Sequence, residues 1–378
     1  MRSSRGAATR CGAGLRAVLP LLLLVALAAG AHGAHAQTPS PSSAQASAAA
    51  SARPRVRLIA TGGTISNRQG GRLSAAELVA LVPQAAAHAE IDVEQFSNVA
   101  SGQLSLAQWL ELARRLDDIL RGDPGLAGIV VTCGTDTLEE LAYFLHLTVR
   151  SDRPVVVVGS MRRPDTPGYD GTANLLAAFR VAASNESRGR GVLVVLNDEI
   201  HSAREVTKSD AQRLDTFQSR GYGLLGVVDA DRVVYYRSPV KRHTARSEFD
   251  VHAIASLPRV DVLLTYQAAP GDLIRAAVDA GARGIVLATA AGGTSGTQME
   301  GVRYALDRGA TVVLTTRTGA GRIAPLQAAR LNPNGRGQQS GSTVAGEDLT
   351  PIKARILLML ALTKTRDASE VQRMFTEY

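Results

Sequence analysis

A hydroxyl side chain follows a glycine pair at the end of the first apolar run of the sequence. The run Val56–Ala60 predicts a buried strand, and Gly62 and Gly63 come directly before Thr64. Glycine adopts backbone dihedrals that a Cβ atom forbids, so this pair permits a sharp turn. A threonine raised on such a turn is accessible for nucleophilic chemistry, and backbone N–H groups of the turn can face a developing oxyanion. The same pattern is equally typical of a plain tight turn in which Thr64 caps a helix.

A second stretch adds a carboxylate to a hydroxyl group. The run Gly128–Thr132 predicts a strand, and it is followed by Gly134, Thr135 and Asp136, with Glu139 three positions further on. Open α/β sheets hold ligands beyond the carboxyl ends of their strands, so both stretches are candidates for one crevice. Asp136 has two open roles. It can hold a substrate ammonium group there, or it can form a helix-start box with Glu139.

A hydroxyl nucleophile needs a base, and the candidate is a lysine. Lys208 lies in a loop after the predicted strand Val192–Leu196. A lysine partly withdrawn from water loses its proton more readily and can serve as a base. Most single lysines are surface charges, so Lys208 alone is a weak signal. His146 lies on a predicted buried helix, which favours a structural role.

Several other classes of site are absent from the sequence or disfavoured by it. The glycine pair belongs neither to a dinucleotide fingerprint nor to a phosphate-binding loop. Cys133 is the one cysteine outside the predicted signal segment, so neither an intrachain disulfide nor a cysteine zinc site is predicted. Its position after a buried strand indicates a small apolar filler. The net charge is +8, but the arginines are scattered and aromatic residues make up only 4%, which disfavours a nucleic-acid partner.

The elements that must position these side chains are predicted from short Val, Ile and Leu runs that alternate with helical stretches. Unalternating apolar runs are typical of parallel strands covered on both faces. Capping boxes at Ser74–Glu77 and Ser105–Gln108 mark two helix starts, and further helices are expected after Pro351 and Asp367. This alternation predicts a doubly wound α/β architecture. The predicted strands are Val56–Ala60, Gly128–Thr132, Pro154–Gly159, Val192–Leu196, Val260–Tyr266, Gly284–Ala288 and Thr311–Leu314.

The 378 residues exceed the usual length of one compact domain and favour two domains behind an export signal. The first 36 residues have a basic start, a short apolar run and Ala34-His35-Ala36, which is typical of a cleavable secretory signal. That run is too short for a permanent membrane anchor, so we expect a periplasmic or secreted protein. The predicted parts are the signal (1–36), a flexible Ala/Ser/Pro leader (37–54), a larger N-terminal domain with a mostly parallel sheet (55–238), a linker (239–258) and a smaller C-terminal α/β domain (259–378).

The two hydroxyl-bearing stretches resemble the two signatures of bacterial L-asparaginases. They are Ile59–Ile65 and Thr132–Glu140, and the resemblance extends over essentially all of residues 55–378. With the export signal, the chain is most similar to the periplasmic type II asparaginase/glutaminase branch. The resemblance implies that Thr64 attacks the side-chain amide of the substrate. It implies no metal and no organic cofactor.

The same resemblance assigns further site residues. A Thr-Asp pair and a downstream lysine complete the family's catalytic set, and the aspartate also grips the substrate's α-amino group. A serine upstream of the helix that contains Trp109 binds the α-carboxylate. Family members are usually tetramers, built as dimers of dimers, in which a neighbouring subunit completes each site. Carried over by match, these residues are Thr135, Asp136 and Lys208 (catalytic), Ser101, Gly63, Gly134 and again Asp136 (substrate-binding), and Ser295 (offered to a neighbouring site).

Three features depart from the family pattern. Only 17 residues lie between Thr64 and Val82, fewer than the family's mobile lid needs, and none of them is the tyrosine that the lid usually supplies. Gly102 stands where an amide or acid is expected after the serine. Residues 322–336 contain no acidic residue where a neighbouring subunit typically offers a glutamate. We therefore expect weaker binding of the substrate's charged ends or a shifted substrate choice.

The sequence thus predicts hydrolysis of L-asparagine to L-aspartate and ammonia through a β-aspartyl ester on Thr64. One alternative is a broader glutaminase-asparaginase that hydrolyses L-glutamine about as well. Another is a secreted paralogue that binds amino acids without turnover. The joint presence of Thr64, Thr135, Asp136 and Lys208 argues against this non-catalytic alternative.

Overall fold

The structure is a computed structural model that describes residues 53–325 and 343–378. The predicted signal, 1–36, and nearly all of the predicted leader lie outside the described residues. In the described part of the chain, no helix is long and apolar enough to cross a membrane.

Sixteen strands and eight α-helices make up the described chain, together with five short 3-10 helices. The strands are β1 (Arg55–Gly62), β2 (Asn67–Arg68), β3 (Gly71–Arg72), β4 (Glu90–Val99), β5 (Leu126–Thr132), β6 (Val155–Val158), β7 (Val192–Leu196), β8 (Glu199–Ser202), β9 (Thr207–Lys208), β10 (Phe217–Gln218), β11 (Gly226–Val228), β12 (Val233–Tyr235), β13 (Val260–Leu264), β14 (Gly284–Thr289), β15 (Thr311–Thr316) and β16 (Val344–Ala345). The helices are α1 (Ala75–Ala80), α2 (Leu106–Gly122), α3 (Leu138–Thr148), α4 (Gly171–Ala183), α5 (Asp272–Asp279), α6 (Gly296–Asp307), α7 (Pro351–Ala361) and α8 (Ala368–Glu377).

The larger sheet has eight strands in the order β12-β11-β8-β7-β6-β5-β1-β4. Strands β4, β1, β5, β6 and β7 run parallel, whereas β8, β11 and β12 join in antiparallel pairs. The chain passes from β1 to the edge strand β4 and then returns to β5 on the other side of β1. In open α/β sheets, such a reversal opens a ligand crevice beyond the carboxyl ends of the strands concerned. The predicted doubly wound, mostly parallel sheet is confirmed.

All seven predicted strands are present, but the sequence prediction missed β4, which leads into the site. None of its residues is buried: Glu90, Val93 and Gln95 are exposed and the others are partly covered. Continuous apolar runs identify strands that are buried on both faces, and an edge strand does not need one. The alternation of Ile91, Val93 and charged neighbours is the signal that could have located it.

The smaller sheet contains β13, β14, β15 and β16, all parallel. Helices α5 and α6 contribute Ile274, Val302 and Ala305 to the hydrophobic cluster on one face. Helix α7 covers the other face and also packs against α3 of the larger sheet. The predicted smaller C-terminal α/β part is therefore present.

The largest hydrophobic cluster runs through α7 and joins the two sheets. It includes Val131 of β5 and Val286 of β14, and every residue from Ile356 to Ala361 is fully buried. The segment predicted as a linker, 239–258, packs onto this core through Phe249 and Val251, both fully buried. The C-terminal helices are thus part of the core that supports the larger sheet.

Candidate active site

Two threonines join the carboxyl ends of β1 and β5. The backbone N–H of Thr61 donates to Thr132 Oγ1 at 3.2 Å, and Thr61 Oγ1 donates to the Thr132 carbonyl at 2.6 Å. Both residues are buried. These bonds hold the two signature stretches side by side, so the residues that follow each strand enter the same crevice.

The glycine pair before Thr64 is required by both conformation and space. Gly62 and Gly63 have φ of 106° and 91°, in the left-handed region that disfavours other residues. A Cβ atom on Gly62 would lie 2.4 Å from the Val99 carbonyl oxygen, and one on Gly63 would lie 2.3 Å from the Gly134 nitrogen. Thr64 is the first residue of the 3-10 helix Thr64–Ser66, and Gly63 occupies the cap position. The structure therefore decides against the alternative in which Thr64 caps a helix.

Side chains hold the carbonyl groups on both sides of Thr64. Arg72 Nη1 donates to the Gly63 carbonyl at 3.0 Å, and Ser66 Oγ donates to the same oxygen at 3.2 Å. Tyr169 Oη donates to the Ile65 carbonyl at 2.7 Å. A tyrosine therefore does contact the Thr64 turn. It comes from the loop before α4, and its bond is to the backbone.

The short segment after Thr64 forms the β2–β3 hairpin, which is fastened to its surroundings. The backbone N–H of Gln69 donates to Asp165 Oδ2 at 2.6 Å, and Asn98 Nδ2 donates to the Leu73 carbonyl at 3.1 Å. Arg68 forms an ion pair with Glu77 of α1 at 3.1 Å. The 17 residues between Thr64 and Val82 therefore include this fastened hairpin and helix α1.

Lys208 is brought together with the second signature. Its Nζ donates to Thr135 Oγ1 at 3.0 Å and to Asp136 Oδ1 at 3.0 Å. The Thr135 side chain is buried and that of Lys208 is 18% exposed, whereas the Asp136 carboxylate is 86% exposed. Helix α3 begins at Leu138 without a side-chain cap bond, so Asp136 does not cap it. Lys208 is therefore a partly withdrawn lysine rather than a plain surface charge.

Glu139 holds the backbone of the lysine segment, a role that the sequence did not reveal. Its Oε1 accepts from Thr207 Oγ1 at 3.0 Å and from the Lys208 N–H at 3.1 Å, and its side chain is buried. Beside Asp136 it reads as a capping-box partner. A carboxylate that lies among the apolar residues of α3 is the signal that could have shown otherwise, since buried charges are paired.

Ser101 lies against the same glycine as the Thr64 turn. It begins the 3-10 helix that follows β4 and is 6% exposed. A Cβ atom on Gly134 would lie 2.8 Å from Ser101 Oγ and 3.1 Å from the Gly63 Cα. Among the described residues, none forms a hydrogen bond with the Ser101 hydroxyl group, which leaves that group available to a ligand. The backbones of Gly63 and Gly134 are thus in close contact, and Thr64, Ser101 and Thr135 lie next to them.

Comparison with known proteins assigns the chain that carries this site to a family. Residues 55–241 match the family model described as Asparaginase, N-terminal, and residues 259–375 match the one described as Glutaminase/Asparaginase C-terminal domain.

The chain belongs to the asparaginase family.

Individual relatives agree with this family assignment along most of the chain. The chain is 42% identical to L-asparaginase 2 of Bacillus subtilis over 336 residues, which are 86% of this chain and 87% of that protein. It is 38% identical to the glutaminase-asparaginase of Pseudomonas fluorescens over 334 residues, 85% of this chain and 90% of that protein. The crystal structure of a probable cytoplasmic L-asparaginase from Campylobacter jejuni matches with a TM-score of 0.78 at 37% identity, covering 86% of this chain and all of that one.

Within this asparaginase, Ser295 lies between β14 and α6, apart from the Lys208 cluster, which consists of Lys208, Thr135 and Asp136. It caps α6 by accepting from the Gln298 N–H at 3.2 Å, and its hydroxyl group donates to the Ala269 carbonyl. It lines a cavity of about 550 Å³ at the carboxyl edge of this sheet, beside Thr294 and Arg317. None of the four predicted catalytic residues lines that cavity.

Two other residues considered in the sequence analysis, Cys133 and His146, are buried and have structural roles. Cys133 is fully buried after β5, and burial raises the pKa of its thiol to about 12, which leaves no reactive thiolate at neutral pH. His146 is buried on α3, where its Nδ1 accepts from the Val192 N–H at 3.1 Å. Burial and neighbouring His243 hold the pKa of His146 well below its usual value. In the described part of the chain, no group of three or more His, Cys, Asp or Glu residues is arranged to hold a metal ion.

Proposed function

We propose that this protein hydrolyses the side-chain amide of L-asparagine to L-aspartate and ammonia, with Thr64 as the nucleophile. The supporting observation is the contact of Lys208 with Thr135 and Asp136 at 3.0 Å, beside the two glycines that carry the Thr64 turn. A hydroxyl nucleophile, a lysine able to take a proton and a carboxylate then share one crevice. The family membership of the chain supports the same chemistry.

The proposed reaction has two steps that share one proton route. In the first step, Thr64 Oγ attacks the carboxamide carbon while its proton passes to uncharged Lys208 by way of the Thr135 hydroxyl group. The tetrahedral intermediate collapses, the proton is returned to the amide nitrogen, and ammonia leaves the β-aspartyl ester. In the second step, water attacks the ester carbon and gives its proton to the same relay. The acyl bond to Thr64 Oγ then breaks, the relay returns the proton to that oxygen, and aspartate is released. Backbone N–H groups of the glycine turns supply stabilisation of the oxyanion.

The proposed substrate contacts follow from which polar atoms stay available. Asp136 Oδ1 accepts a hydrogen bond from Lys208. The carboxylate is largely exposed, so Oδ2 can accept from the α-ammonium group of the substrate. The Ser101 hydroxyl group lies beside Gly134 and would donate to the α-carboxylate. The two charged ends of an amino acid would then bracket the side-chain amide at Thr64.

Replacement of the nucleophile tests the assignment. We expect Thr64→Ala to lower ammonia release from asparagine by at least about a thousandfold, because the neighbouring hydroxyl groups of Thr61 and Ser66 are already bonded to backbone carbonyls. Thr64→Ser is the matched control, since it keeps the hydroxyl group and should keep measurable activity. Circular dichroism and thermal melting should show that both variants retain the fold. Wild-type rates in Thr64→Ala would refute the nucleophile assignment.

A broader glutaminase-asparaginase activity is the second candidate. It is favoured by the 38% identity to a glutaminase-asparaginase and by the short pinned hairpin that stands in place of a longer cover over Thr64. The ratio of kcat/KM for asparagine and glutamine, measured on the same preparation, separates the two candidates. Binding of either amino acid in calorimetry without ammonia production would favour a non-catalytic protein instead.

Export and assembly belong to the same proposal. The basic start and short apolar run of residues 1–36 support cleavage before Gln37 and delivery to the periplasm or medium. The position of Ser295, away from the Lys208 cluster, supports a tetramer in which it serves a neighbouring site. N-terminal sequencing of the exported protein and its sedimentation mass test these two statements.

A further inference from the structure

A buried lysine of α7 holds the segment that leads into Lys208. Lys353 lies in the first turn of α7, and its side chain is 1% exposed. Its Nζ donates to the Arg204 carbonyl at 3.1 Å and also to the Val206 carbonyl. A cation rarely occupies such a position unless its charge and its donors are matched. Helix α7 thereby fixes two carbonyls of the segment that leads into Thr207 and Lys208.

Glu139 connects Lys353 to the other side of this segment. Lys353 Nζ lies 3.8 Å from Glu139 Oε2, an ion-pair distance too long for a hydrogen bond. The second oxygen, Oε1, receives the Lys208 N–H and the Thr207 hydroxyl group. Oε2 is buried and has no hydrogen-bond partner among the described residues, so Lys353 is the cation that faces it. One buried carboxylate therefore lies between two lysines, one structural and one in the proposed site.

The other charged groups around this pair already have partners of their own. Arg204 forms a two-bond ion pair with Asp348 at 2.7 Å, and Glu205 pairs with Arg237. On the outer side, Lys208 itself pairs with Asp136. Glu140, the next acidic residue of α3, faces Arg355 at 3.8 Å. The charge on Glu139 is thus left to be balanced by Lys353.

We propose that Lys353 is a positioning residue for Lys208: by fixing residues 204–206 and neutralising Glu139, it keeps an unbalanced carboxylate from acting on the Lys208 ammonium group. This inference rests on the proposed function, in which uncharged Lys208 takes the proton of Thr64. An unbalanced Glu139 would hold the Lys208 proton more tightly and shrink the fraction of active enzyme at a given pH. If Glu139 were uncharged, the positive charge on Lys353 would instead make Lys208 release its proton more readily.

The charge on Lys353 itself sets the pH range in which this balance operates. Burial lowers the pKa of Lys353 to about 8, with Glu139 acting in the opposite direction. Below that pH, Lys353 carries the charge that offsets Glu139. Above it, the wild type loses the offset, so differences between wild type and a Lys353 variant should be largest on the acidic side of pH 8.

The experiment compares the kcat–pH profiles of Lys353→Met, Glu139→Gln and the double variant. Methionine keeps the length of the buried stem without the charge, and glutamine keeps an oxygen for the Lys208 N–H. The acidic limb of the profile is the pH range in which kcat rises as Lys208 loses its proton. We expect this limb to move to higher pH by about one unit in Lys353→Met and to lower pH by about one unit in Glu139→Gln. In the double variant, which removes both charges, the limb should return to within a few tenths of a unit of wild type.

Arg355→Met is the matched control, because it removes a cation from the same helix that faces Glu140 and not Glu139. It should lower stability without moving the limb. A purely structural role for Lys353 would lower kcat at every pH with the limb unmoved, and that result would overturn the inference. So would two single variants that shift the limb in the same direction.

Two safeguards keep the test decisive. If Lys353→Met does not fold, Glu139→Gln still tests the charge balance, and an unmoved limb in that variant rejects it. Ammonia release by the wild type is measured first. Its absence would reject the proposed function, whereas an active wild type with unmoved limbs would reject this inference alone.

Discussion

At the scale of single residues, the site depends on side chains whose roles are set by their neighbours. Asp136 and Glu139 stand three positions apart and match a capping box, yet neither caps α3. Asp136 faces solvent and Lys208, whereas Glu139 turns inward to the backbone of Lys208. The difference follows from position: Asp136 lies in the loop before α3, whereas Glu139 lies in the first turn of the helix.

Ser101 offers a residue-scale prediction about substrate binding. We expect Ser101→Ala to raise KM for asparagine by about 10–100-fold, because a hydrogen bond to a charged group contributes about 1.5–3 kcal/mol. Ser105→Ala is the control: this nearby serine caps α2 through the Gln108 N–H, so its loss costs about 1 kcal/mol of stability and leaves KM alone. Steady-state kinetics on both variants make the comparison. Equal KM values would remove Ser101 from the substrate site.

At the scale of elements, the reversal of the chain after β1 creates the site. Strands β4, β1 and β5 lie side by side and deliver Ser101, Thr64 and Thr135 to one edge of the sheet. The lysine comes from β9, outside this sheet, and is placed by α3 on one side and α7 on the other. The ends of the three strands therefore position Ser101, Thr64 and Thr135, and helices α3 and α7 position Lys208.

The contact between the two glycine turns gives an element-scale prediction. Gly63→Ala would place a Cβ atom 2.3 Å from the Gly134 nitrogen, so the β1 and β5 ends must separate. We expect this variant to lose most of its activity and at least about 2–3 kcal/mol of stability, through strain and overpacking together. Denaturant unfolding and ammonia release measure the two effects.

Gly70→Ala separates strain from crowding. Gly70 also has a positive φ, 81°, but a Cβ atom there would meet nothing within 4 Å. It should cost only about 1 kcal/mol and leave activity near that of wild type. If Gly63→Ala behaved like Gly70→Ala, close contact between the two turns would not be what holds the site together.

At the scale of the whole molecule, the C-terminal part supports the larger sheet through buried charges as well as apolar packing. Arg204, from the segment before β9, forms a two-bond pair with Asp348, which lies just before α7. The guanidinium group also donates to the carbonyl of Tyr378 at the end of the chain. Lys353 adds its own bonds to the same segment. The segment that carries Lys208 is therefore anchored by residues 144 to 174 positions further along the chain.

The Arg204–Asp348 pair predicts how stability depends on pH. Burial tends to raise the pKa of Asp348, but hydrogen bonds and attraction from Arg204 outweigh it and hold that pKa well below its usual range. Because the pKa of this carboxyl group is lower in the folded chain than in the unfolded chain, the pair stabilises the fold fully at pH values above the unfolded pKa of about 4. The stabilisation is lost as the pH falls from that value towards the folded pKa. We expect Asp348→Asn to cost about 3–5 kcal/mol at pH 7, because it leaves a buried arginine without its anion.

The difference between wild type and Asp348→Asn should narrow progressively as the pH falls below about 4. Asp231→Asn is the control, since Asp231 is 77% exposed and its nearest cation lies 4.0 Å away. It should change stability by less than about 0.5 kcal/mol. Denaturant unfolding between pH 3 and pH 8 gives all three curves. A pH-independent deficit in Asp348→Asn would show that the pair does not titrate as described.

The amino-acid sequence by itself determined the parts of this protein that local patterns encode. Continuous apolar runs located the seven strands, because strands covered on both faces need apolar side chains throughout. The Ser74 and Ser105 boxes located the starts of α1 and α2, and both boxes form. The two glycine–threonine signatures identified the family, since their motif is contiguous in sequence. Lys208, Thr135 and Asp136 were candidates from the residues alone, the resemblance assigned their catalytic roles, and the structure brings them together.

Only the tertiary structure decided what depends on residues that are distant in sequence. The edge strand β4 escaped the apolar-run pattern because one of its sides is open. Tyr169 reaches the Thr64 turn from 104 positions away in the chain, and Lys353 reaches the Lys208 segment from a helix near the C-terminus. In the sequence, Glu139 reads as a capping residue, and no pattern singles out Lys353. Folding removes both from water, and a buried charge must then be matched by whichever opposite charge the packing places beside it.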